Sequence, residues 1–211
     1  MMERLALGLS AMSLSLPDTA REKLLAYLAL LEKWNKTYSL TALRAPETAL
    51  SHHALDSLSI LPFVEAAADG NLLDVGSGGG MPGIPLAIAL PELEITLAER
   101  NSKKAAFLCQ AKIELELANI SVHGGRVEQY HPPFGFSVIV SRAFSSLRDF
   151  VNLSRHLLAE NGRWFAMKGL WPKKEIDGLP DDIGLDTVHR LRVPGVEGER
   201  HLAVLKIKSA D

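Results

Sequence analysis

The sequence predicts an α/β fold: a mostly parallel, doubly wound sheet with an antiparallel hairpin at its end and a helical extension before the first strand. Short apolar runs alternate with amphipathic, helix-like segments between residues 72 and 169, which is the pattern of strands joined by crossover helices. A glycine-rich turn follows the first of these runs, in the stretch LLDVGSGGGMPG (72–83). Near the end of the chain, two strand-like segments flank a short connection that contains glycine and proline, and such strands pair antiparallel.

The first third of the chain shows helical periodicity and no strand signal. An amphipathic helix is expected over residues 1–16, whose start carries no net basic charge and so does not resemble a signal peptide. A second helix is expected over 17–38, with Pro17 near its start and one apolar stripe along its length. One or two further helices are expected over 45–64 and should stop near Pro62. The stripe of the second helix consists of Leu24, Leu28, Leu31 and Trp34.

The rest of the chain supplies the predicted sheet, so we divide the sequence into a helical subdomain over 1–66 and a Rossmann-like domain over 67–211. The first five strands are expected at 72–75, 94–99, 120–123, 136–144 and 162–169. Helices are expected between them at 84–90, 102–117 and 147–158. The closing hairpin should consist of 186–193 and 201–208.

The composition is that of an ordinary globular enzyme. The chain has 211 residues, 47% of them hydrophobic and 23% charged, and no run approaches the roughly 20 apolar residues of a membrane span. Its one cysteine, Cys109, rules out an internal disulfide and is expected to be a structural thiol on a helix. The seven histidines are scattered without the spacing of metal ligands, so no metal site is predicted. Together these features predict a cytoplasmic protein with no membrane partner.

Positive charge is concentrated in one segment of the chain. The net charge of −2 argues against a general nucleic-acid coat protein. From Ser141 to Lys174, however, seven basic residues stand against two acidic ones. Such a segment is either a solvated surface or a phosphate-binding one, and the sequence alone leaves both interpretations open. The basic residues are Arg142, Arg148, Arg155, Arg163, Lys168, Lys173 and Lys174.

The glycine-rich turn is typical of a site for an adenosine-containing ligand. Ligands of open α/β sheets bind at the carboxyl ends of strands, and Glu99 ends the second strand, where its carboxylate can accept hydrogen bonds from both ribose hydroxyls. From Asp74 onwards, the turn fits the D-x-G-x-G-x-G pattern of S-adenosylmethionine-dependent methyltransferases. From Gly78 onwards it also fits the dinucleotide pattern G-x-G-x-x-G, although that register puts Pro82 where N–H groups should face a pyrophosphate.

The closing hairpin favours the methyltransferase interpretation, because it resembles the class I methyltransferase sheet and is not expected of a simple dinucleotide domain. S-adenosyl-L-methionine is therefore the favoured ligand. An NAD-linked enzyme and a turn without a ligand remain open at this stage. A Walker-type phosphate loop is excluded, since no Gly-Lys-Ser/Thr follows the glycines.

The residues around the fourth strand bear on the atom that would be methylated. Methylation of pyrimidine carbon-5 requires a cysteine nucleophile, and Cys109 lies on a predicted helix away from any strand end. Exocyclic amines usually require an Asn/Asp-Pro-Pro-Tyr/Phe loop after this strand, whereas the similar HPPF (131–134) precedes it. The sequence after it, SRAF (141–144), offers no carboxylate or amide as a proton acceptor. Guanine N7 needs none, and cations suit its neighbour O6, so the residues favour N7 without establishing it.

Seven motifs are spread in order along nearly the whole chain. They are KWNKTYSLT (33–41), HALDS (53–57), LLDVGSGGGMPGIPLAI (72–88), RVE (126–128), SRAF (141–144), MKG (167–169) and GERHL (198–202). Together they resemble the motifs of one family, the bacterial 16S rRNA guanine-N7 methyltransferases, also called glucose-inhibited division protein B or small-subunit rRNA methyltransferase G. One difference is Met81, which stands where Phe or Leu is more frequent.

The resemblance implies a class I enzyme that methylates N7 of one guanine in the decoding-region loop of 16S rRNA, converting S-adenosyl-L-methionine to S-adenosyl-L-homocysteine. It also implies a monomer whose partner is 16S rRNA, within the small ribosomal subunit or an assembly intermediate. The implied cofactor-binding residues are Gly76, Gly78, Met81, Glu99, Val127, Glu128 and Arg142. The implied catalytic or substrate-binding residues are Arg142, Lys168 and Arg200, with His201 beside the last of them.

Some of these residues also have simpler interpretations. Arg142 suits an exposed surface, and Lys168 suits a strand end from which its charged head reaches solvent. His53 and Asp56 lie about one helical turn apart and suit packing of the helical subdomain on the sheet. A methyltransferase-like protein that binds the cofactor without turnover and acts in ribosome assembly also fits the sequence.

Overall fold

The structure is a computed structural model that describes residues 1–41, 46–142, 144 and 146–208. Its strands are β1 (Asn71–Val75), β2 (Glu94–Glu99), β3 (Ile120–Gly124), β4 (Phe136–Ser141), β5 (Leu158–Lys168), β6 (Ile183–Leu191) and β7 (Arg200–Ile207). In the described residues these seven strands form one sheet in the order β3-β2-β1-β4-β5-β7-β6. β1 to β5 are parallel, and β7 runs antiparallel to β5 and β6, so the predicted fold class is confirmed.

The helices predicted to start at residues 102 and 147 begin there, because the sequence supplies an N-cap residue before each. The Asn101 side chain accepts hydrogen bonds from the N–H groups of Lys103 and Lys104, and the Ser146 side chain accepts one from Asp149. The helical elements are α1 (Met2–Ala11), α2 (Asp18–Tyr38), α3 (Pro46–Ala49), a π-helical segment (Leu50–Leu55), α4 (Asp56–Leu58), α5 (Leu61–Ala67), α6 (Gly83–Ala89), α7 (Ser102–Glu114), α8 (Leu147–Ser154) and α9 (Lys173–Ile176).

Several predicted boundaries were wrong. The first helix ends at Ala11 and not at residue 16, the fourth strand ends at Ser141 and not at residue 144, and the hairpin begins with Ile183–Leu191 and not with 186–193. Pro62 does not stop a helix but lies in the first turn of α5, where its missing N–H leaves no hydrogen bond unmade. The helix expected over 147–158 ends at Ser154, and a 3₁₀ turn over Arg155–Leu157 leads directly into β5, four residues before its predicted start. The predicted helix start at residue 45 and residue 143 of the predicted fourth strand lie outside the described residues.

Buried side chains cover both faces of the sheet, as a parallel sheet requires. Leu72 and Leu73 are neighbours in β1 and point into opposite clusters. The first cluster joins the sheet to the N-terminal helices, α6 and α7, and includes the predicted stripe of α2, with Trp34 packed at its margin. The second cluster joins the other face to α8. The division between residues 66 and 67 stays a prediction.

The surface differs from expectation at the cysteine. Cys109 is exposed on α7, so the prediction of a structural thiol was wrong. The helix turns Phe107, Leu108 and Ala111 towards the core, and Cys109 falls on its solvent side. None of the described helices is long and apolar enough to cross a membrane.

The order of strands reverses beside β1, and this creates the crevice in which ligands of such sheets bind. The chain passes outward from β1 to β2 and β3, then returns to β4 on the other side of β1. The hydroxyl of Ser141 donates to the carbonyl oxygen of Val75 at 2.7 Å and so joins the carboxyl ends of β1 and β4. The glycine-rich turn and Arg142 leave the sheet at this point.

Candidate active site

The turn after β1 needs glycine at three alternate positions. Gly76, Gly78 and Gly80 have φ angles of 73°, 59° and 94°, a left-handed backbone that side chains disfavour. A Cβ on Gly80 would also lie 2.4 Å from Cδ1 of Ile84. Gly83, by contrast, is the first residue of α6 and has no such angle. The backbone therefore supports the register that starts at Asp74, not the dinucleotide register.

Asp74, a buried residue, holds the end of this turn at which α6 begins. Its side chain is fully buried, and Oδ2 accepts a hydrogen bond from the Gly83 N–H at 3.0 Å. Among the described residues its Oδ1 has no hydrogen-bond partner. Burial raises the pKa of Asp74 from 3.8 to about 7, although that hydrogen bond and the charge of Arg142 act in the opposite direction.

Glu99 connects the turn to the end of β2. One oxygen of its carboxylate accepts from the Gly78 N–H and the other from the Asn101 N–H, both at 2.8 Å. Each oxygen keeps a second lone pair. The carboxylate borders a cleft of about 440 Å³. The cleft is lined by Val75, Gly76, Gly78, Ala98, Glu99, Arg100, Lys104, Gly125, Arg126, Val127, Glu128, Phe144 and Leu153.

The cleft fits the adenosyl cofactor that the sequence predicts. Glu99 can accept hydrogen bonds from ribose hydroxyls, and Val127, Phe144 and Leu153 supply apolar walls for a planar base. A Cβ on Gly78 would have no neighbour closer than 3.8 Å, so a ligand can approach this backbone closely. Of the predicted cofactor residues, five line the cleft: Gly76, Gly78, Glu99, Val127 and Glu128.

Met81 and Arg142 do not line the cleft. Met81 is buried behind the turn, with Cε 3.0 Å from the position of a Cβ on Gly79 and Sδ 3.2 Å from Nη2 of Arg142. Arg142 instead faces a second cavity of about 400 Å³. This cavity is lined by Thr41, His52, His53, Asp56, Arg142, Met167, Lys168, Gly169, Leu191, Arg200 and His201. The structure thus brings all four predicted substrate-side residues to one cavity.

Asp56 joins two of the cations in this cavity. Its Oδ2 lies 3.2 Å from Nη1 of Arg142, and its Oδ1 lies 3.2 Å from Nε of Arg200. The same Nη1 donates to the carbonyl oxygen of His52 at 2.8 Å. That carbonyl belongs to the π-helical segment, where the N–H of Asp56 bonds to the carbonyls of Ser51 and His53. Single π-helical turns are frequent at functional sites.

Lys168 is held inside the protein, with its side chain only 11% exposed. Its Nζ donates to Oε2 of Glu175 at 2.7 Å and to the carbonyl oxygen of Phe144 at 3.0 Å. The same Glu175 oxygen accepts from the N–H of Leu147 at the start of α8. Phe144 therefore links the cavities, because its carbonyl contacts Lys168 while the residue itself lines the cleft.

Two buried histidines border the second cavity. Burial, reinforced by the charge of Arg142, lowers the pKa of His53 from 6.5 to about 4, so this imidazole is neutral at pH 7. Its Nε2 lies 3.2 Å from the hydroxyl oxygen of Thr41. His201 lies opposite Lys168 in the pairing of β5 and β7. In the described part of the chain, the Nδ1 atoms of both histidines have no hydrogen-bond partner.

The acidic residues of this site were not predicted from the sequence. No carboxylate stands near the end of the fourth strand in the sequence, yet the structure brings Asp56 to that place from the helical segment. The sequence left the role of His53 and Asp56 open, with packing as one interpretation, and both line the cavity. Glu175, which pairs with Lys168, stands in a stretch without periodicity. The motif HALDS (53–57) was the available signal, but no spacing rule relates residue 56 to residues 142 and 200.

The chain is similar in sequence to ribosomal RNA methyltransferases. Residues 20–203 match the family GidB, described as rRNA small subunit methyltransferase G. The ribosomal RNA small subunit methyltransferase G of Neisseria meningitidis serogroup C is 53% identical over 204 residues, which is 97% of each chain. That of Pseudomonas aeruginosa strain LESB58 is 52% identical over 204 residues, 97% of this chain and 94% of the relative.

The fold is similar to that of solved methyltransferases. The O-methyltransferase TomG from Streptomyces achromogenes, solved in complex with S-adenosylmethionine, matches with a TM-score of 0.63 over 99% of both chains at 16% identity. A putative O-methyltransferase from Klebsiella pneumoniae has a TM-score of 0.60 over 87% of this chain and 90% of its own, at 14% identity. At such identities the likeness shows the fold alone: the class I S-adenosylmethionine-dependent methyltransferase fold.

Proposed function

Because the chain belongs to the GidB family of rRNA small subunit methyltransferases, we propose that it methylates N7 of one guanine in the decoding-region loop of 16S rRNA. Methyltransferase activity with S-adenosyl-L-methionine as donor follows from the family and the fold. The cavity beside the adenosyl cleft is the observation that supports guanine N7 as the methyl acceptor. Three cationic side chains line it, and its one described carboxylate already pairs with two of them.

The cleft residues would bind the donor. When bound, S-adenosyl-L-methionine supplies a methyl group on a cationic sulfur, which N7 takes with its lone pair as the sulfur–carbon bond breaks. Gly76 and Gly78 leave space beside the backbone, and Glu99 accepts hydrogen bonds from the ribose hydroxyls. Val127 and Glu128 border the adenine. S-adenosyl-L-homocysteine then leaves as product.

The second cavity supports an acceptor that needs no deprotonation. Among the described residues that line it, Asp56 is the one carboxylate, and each of its oxygens is paired with a guanidinium. Transfer to N7 releases no proton, so it requires no general base. Arg142, Lys168 and Arg200 donate hydrogen bonds, which suits guanine O6 and the phosphates of its strand. The chain would then act mainly by positioning the base against the methyl group.

We further propose that a monomer acts in the cytoplasm, on 16S rRNA within the small ribosomal subunit or an assembly intermediate. The cytoplasm is where a ribosomal substrate would be met.

Two measurements on the wild-type protein test the proposal. We expect the label of methyl-labelled S-adenosylmethionine to enter small-subunit rRNA, and calorimetry to show tighter binding of S-adenosylhomocysteine than of NAD. Cofactor binding without incorporation, on naked rRNA and on subunits alike, would support a binding protein that lacks turnover. Tighter binding of NAD would instead support an oxidoreductase.

A further inference from the structure

Two large apolar side chains stand in solvent beside the second cavity. Leu170 is 77% exposed and Trp171 is 51% exposed, directly after β5. The residue before them, Gly169, lines the cavity. The ring of Trp171 contacts that of His201, another lining residue, at a centroid distance of 5.6 Å and an interplanar angle of 86°. Trp171 therefore stands at the mouth of the cavity, held on one side by His201.

Positive charge beside this tryptophan lacks a partner. Within the described residues, neither Lys173 nor Lys174 forms an ion pair, and both are exposed at the start of α9. The cationic side chains inside the cavity, by contrast, all form ion pairs: Asp56 pairs with Arg142 and Arg200, and Glu175 pairs with Lys168. Next to Trp171, the positive charge that no described ion pair compensates thus lies on these two lysines.

We propose that the rim formed by Leu170, Trp171, Lys173 and Lys174 binds the single-stranded RNA next to the target guanine. A base of this strand stacks on the exposed indole, and its phosphates meet the lysines. Aromatic rings bind bases of any identity in this way, and a basic track beside them binds the backbone. The inference rests on the proposed function, since it places the strand whose guanine enters the cavity.

The chain supplies a matched control for the indole. Phe134 is 51% exposed, as Trp171 is, but it lies in the loop before β4, at the amino-terminal ends of the parallel strands, whereas Trp171 follows the carboxyl end of β5. We expect Trp171→Ala to raise the KM for small subunits that lack the modification by about 5- to 100-fold, the effect of losing one base–aromatic stack. Trp171→Phe should retain most of the affinity, and Phe134→Ala should change KM by less than about twofold.

Two controls separate stacking from a structural role. The affinity for S-adenosylhomocysteine and the unfolding temperature of Trp171→Ala should both match the wild type. Tryptophan fluorescence should be quenched when a decoding-region transcript binds, and Trp171→Phe should lose most of that quenching, because Trp164 is fully buried and Trp34 is half-buried against the core. An unchanged KM in Trp171→Ala, or an equal rise in Phe134→Ala, would overturn the proposal.

The salt dependence of transcript binding tests whether the two lysines contact the phosphates. The double variant Lys173→Ala/Lys174→Ala should lower the slope of log K against log salt for transcript binding by about 1.4, at ~0.7 per phosphate contact of a single strand. An unchanged slope would remove the lysines from the surface. The proposed function and the proposed RNA binding by the rim can be refuted independently. Full methylation with a wild-type KM in Trp171→Ala refutes only RNA binding by the rim. Quenching of Trp171 by RNA without any methyl transfer refutes only the function.

Discussion

We propose two functions for Glu99, orienting the turn and binding the ribose, and one substitution tests the second. Its carboxylate orients the turn through Gly78 and Asn101 and keeps lone pairs for the ribose. We expect Glu99→Ala to weaken binding of S-adenosylhomocysteine by about 1.5–3 kcal/mol, the range for a hydrogen bond to a charged group. Calorimetric titration measures this, and Glu99→Gln should lose less because it keeps one acceptor oxygen. An unchanged affinity in the alanine variant would remove Glu99 from the site.

Arg142 is the residue that contacts both the turn, through Met81, and the helical segment, through Asp56 and His52. We expect Arg142→Ala to lower the rate of methyl transfer by about 100-fold or more, since a misplaced base loses its alignment with the methyl group. The chain should stay folded, and Arg142→Lys should rescue little because a lysine cannot reproduce the guanidinium's several donors. A large fall in unfolding temperature, rather than in rate, would make Arg142 structural.

Single residues of the cofactor side were predictable because local backbone geometry selects them. Gly76, Gly78 and Gly80 are spaced as a left-handed turn requires, and Glu99 follows from the end of the neighbouring strand. Asp56 was not predictable as a partner of Arg142, since 86 residues separate them and only the fold brings them together. The roles of Lys168 and Arg200 came from the family resemblance, not from a pattern in the residues.

At the scale of elements, Asp56 fastens the helical segment to the ends of two strands. It pairs with Arg142 after β4 and with Arg200 at the start of β7. We expect Asp56→Asn to lower the free energy of unfolding by about 1–3 kcal/mol, because one buried guanidinium then faces an amide NH2 group and both lose the negative charge. It should also lower kcat/KM for rRNA at least tenfold, because the two arginines are no longer oriented by one carboxylate.

The affinity of Asp56→Asn for S-adenosylhomocysteine should be unchanged, because Asp56 does not line the cleft. Denaturation, calorimetry and steady-state kinetics on the same preparation separate these effects. A normal kcat/KM together with lower stability would show that Asp56 stabilises the fold but does not contribute to catalysis. A weaker cofactor affinity would mean that the two cavities are not independent.

Elements were predicted well where apolar periodicity was long. β2 begins and ends at the predicted residues, and α2 is one residue shorter than expected. α9 has only four residues, which is too short for a helical repeat of apolar residues. The π-helical segment depends on contacts with residues far away in the sequence, so local periodicity cannot predict it. β5 is longer than expected because its pairing with β4 begins at Leu158.

At the scale of the whole molecule, the buried charge of Asp74 couples stability to pH. Its folded pKa of about 7 exceeds the ordinary value of 3.8, so the folded chain keeps a proton that the unfolded chain releases. Its contribution to stability is complete below pH 3.8 and is lost as the pH rises to about 7.

Relative to Asp74→Asn, the wild type should therefore lose about 3 kcal/mol of unfolding free energy between pH 4 and pH 7, at 1.36 kcal/mol per pKa unit and with the folded carboxyl still half protonated at pH 7. Denaturant titrations of both proteins across that range measure the difference. Asn keeps an oxygen for the Gly83 N–H, so the comparison isolates the charge. A difference that does not vary with pH would show that Asp74 titrates as in solution.

We propose that the two adjoining cavities transfer a methyl group to N7 of guanine, and a chemical mapping experiment can test this claim. Small subunits without the modification are incubated with the protein and S-adenosylmethionine, and their rRNA is then reduced with borohydride and cleaved with aniline, which breaks the strand at N7-methylguanosine. We predict one cleavage, at a guanine of the decoding-region loop, that disappears without the cofactor and with Arg142→Ala. Incorporated methyl label without cleavage, or label on a pyrimidine, would contradict the claim.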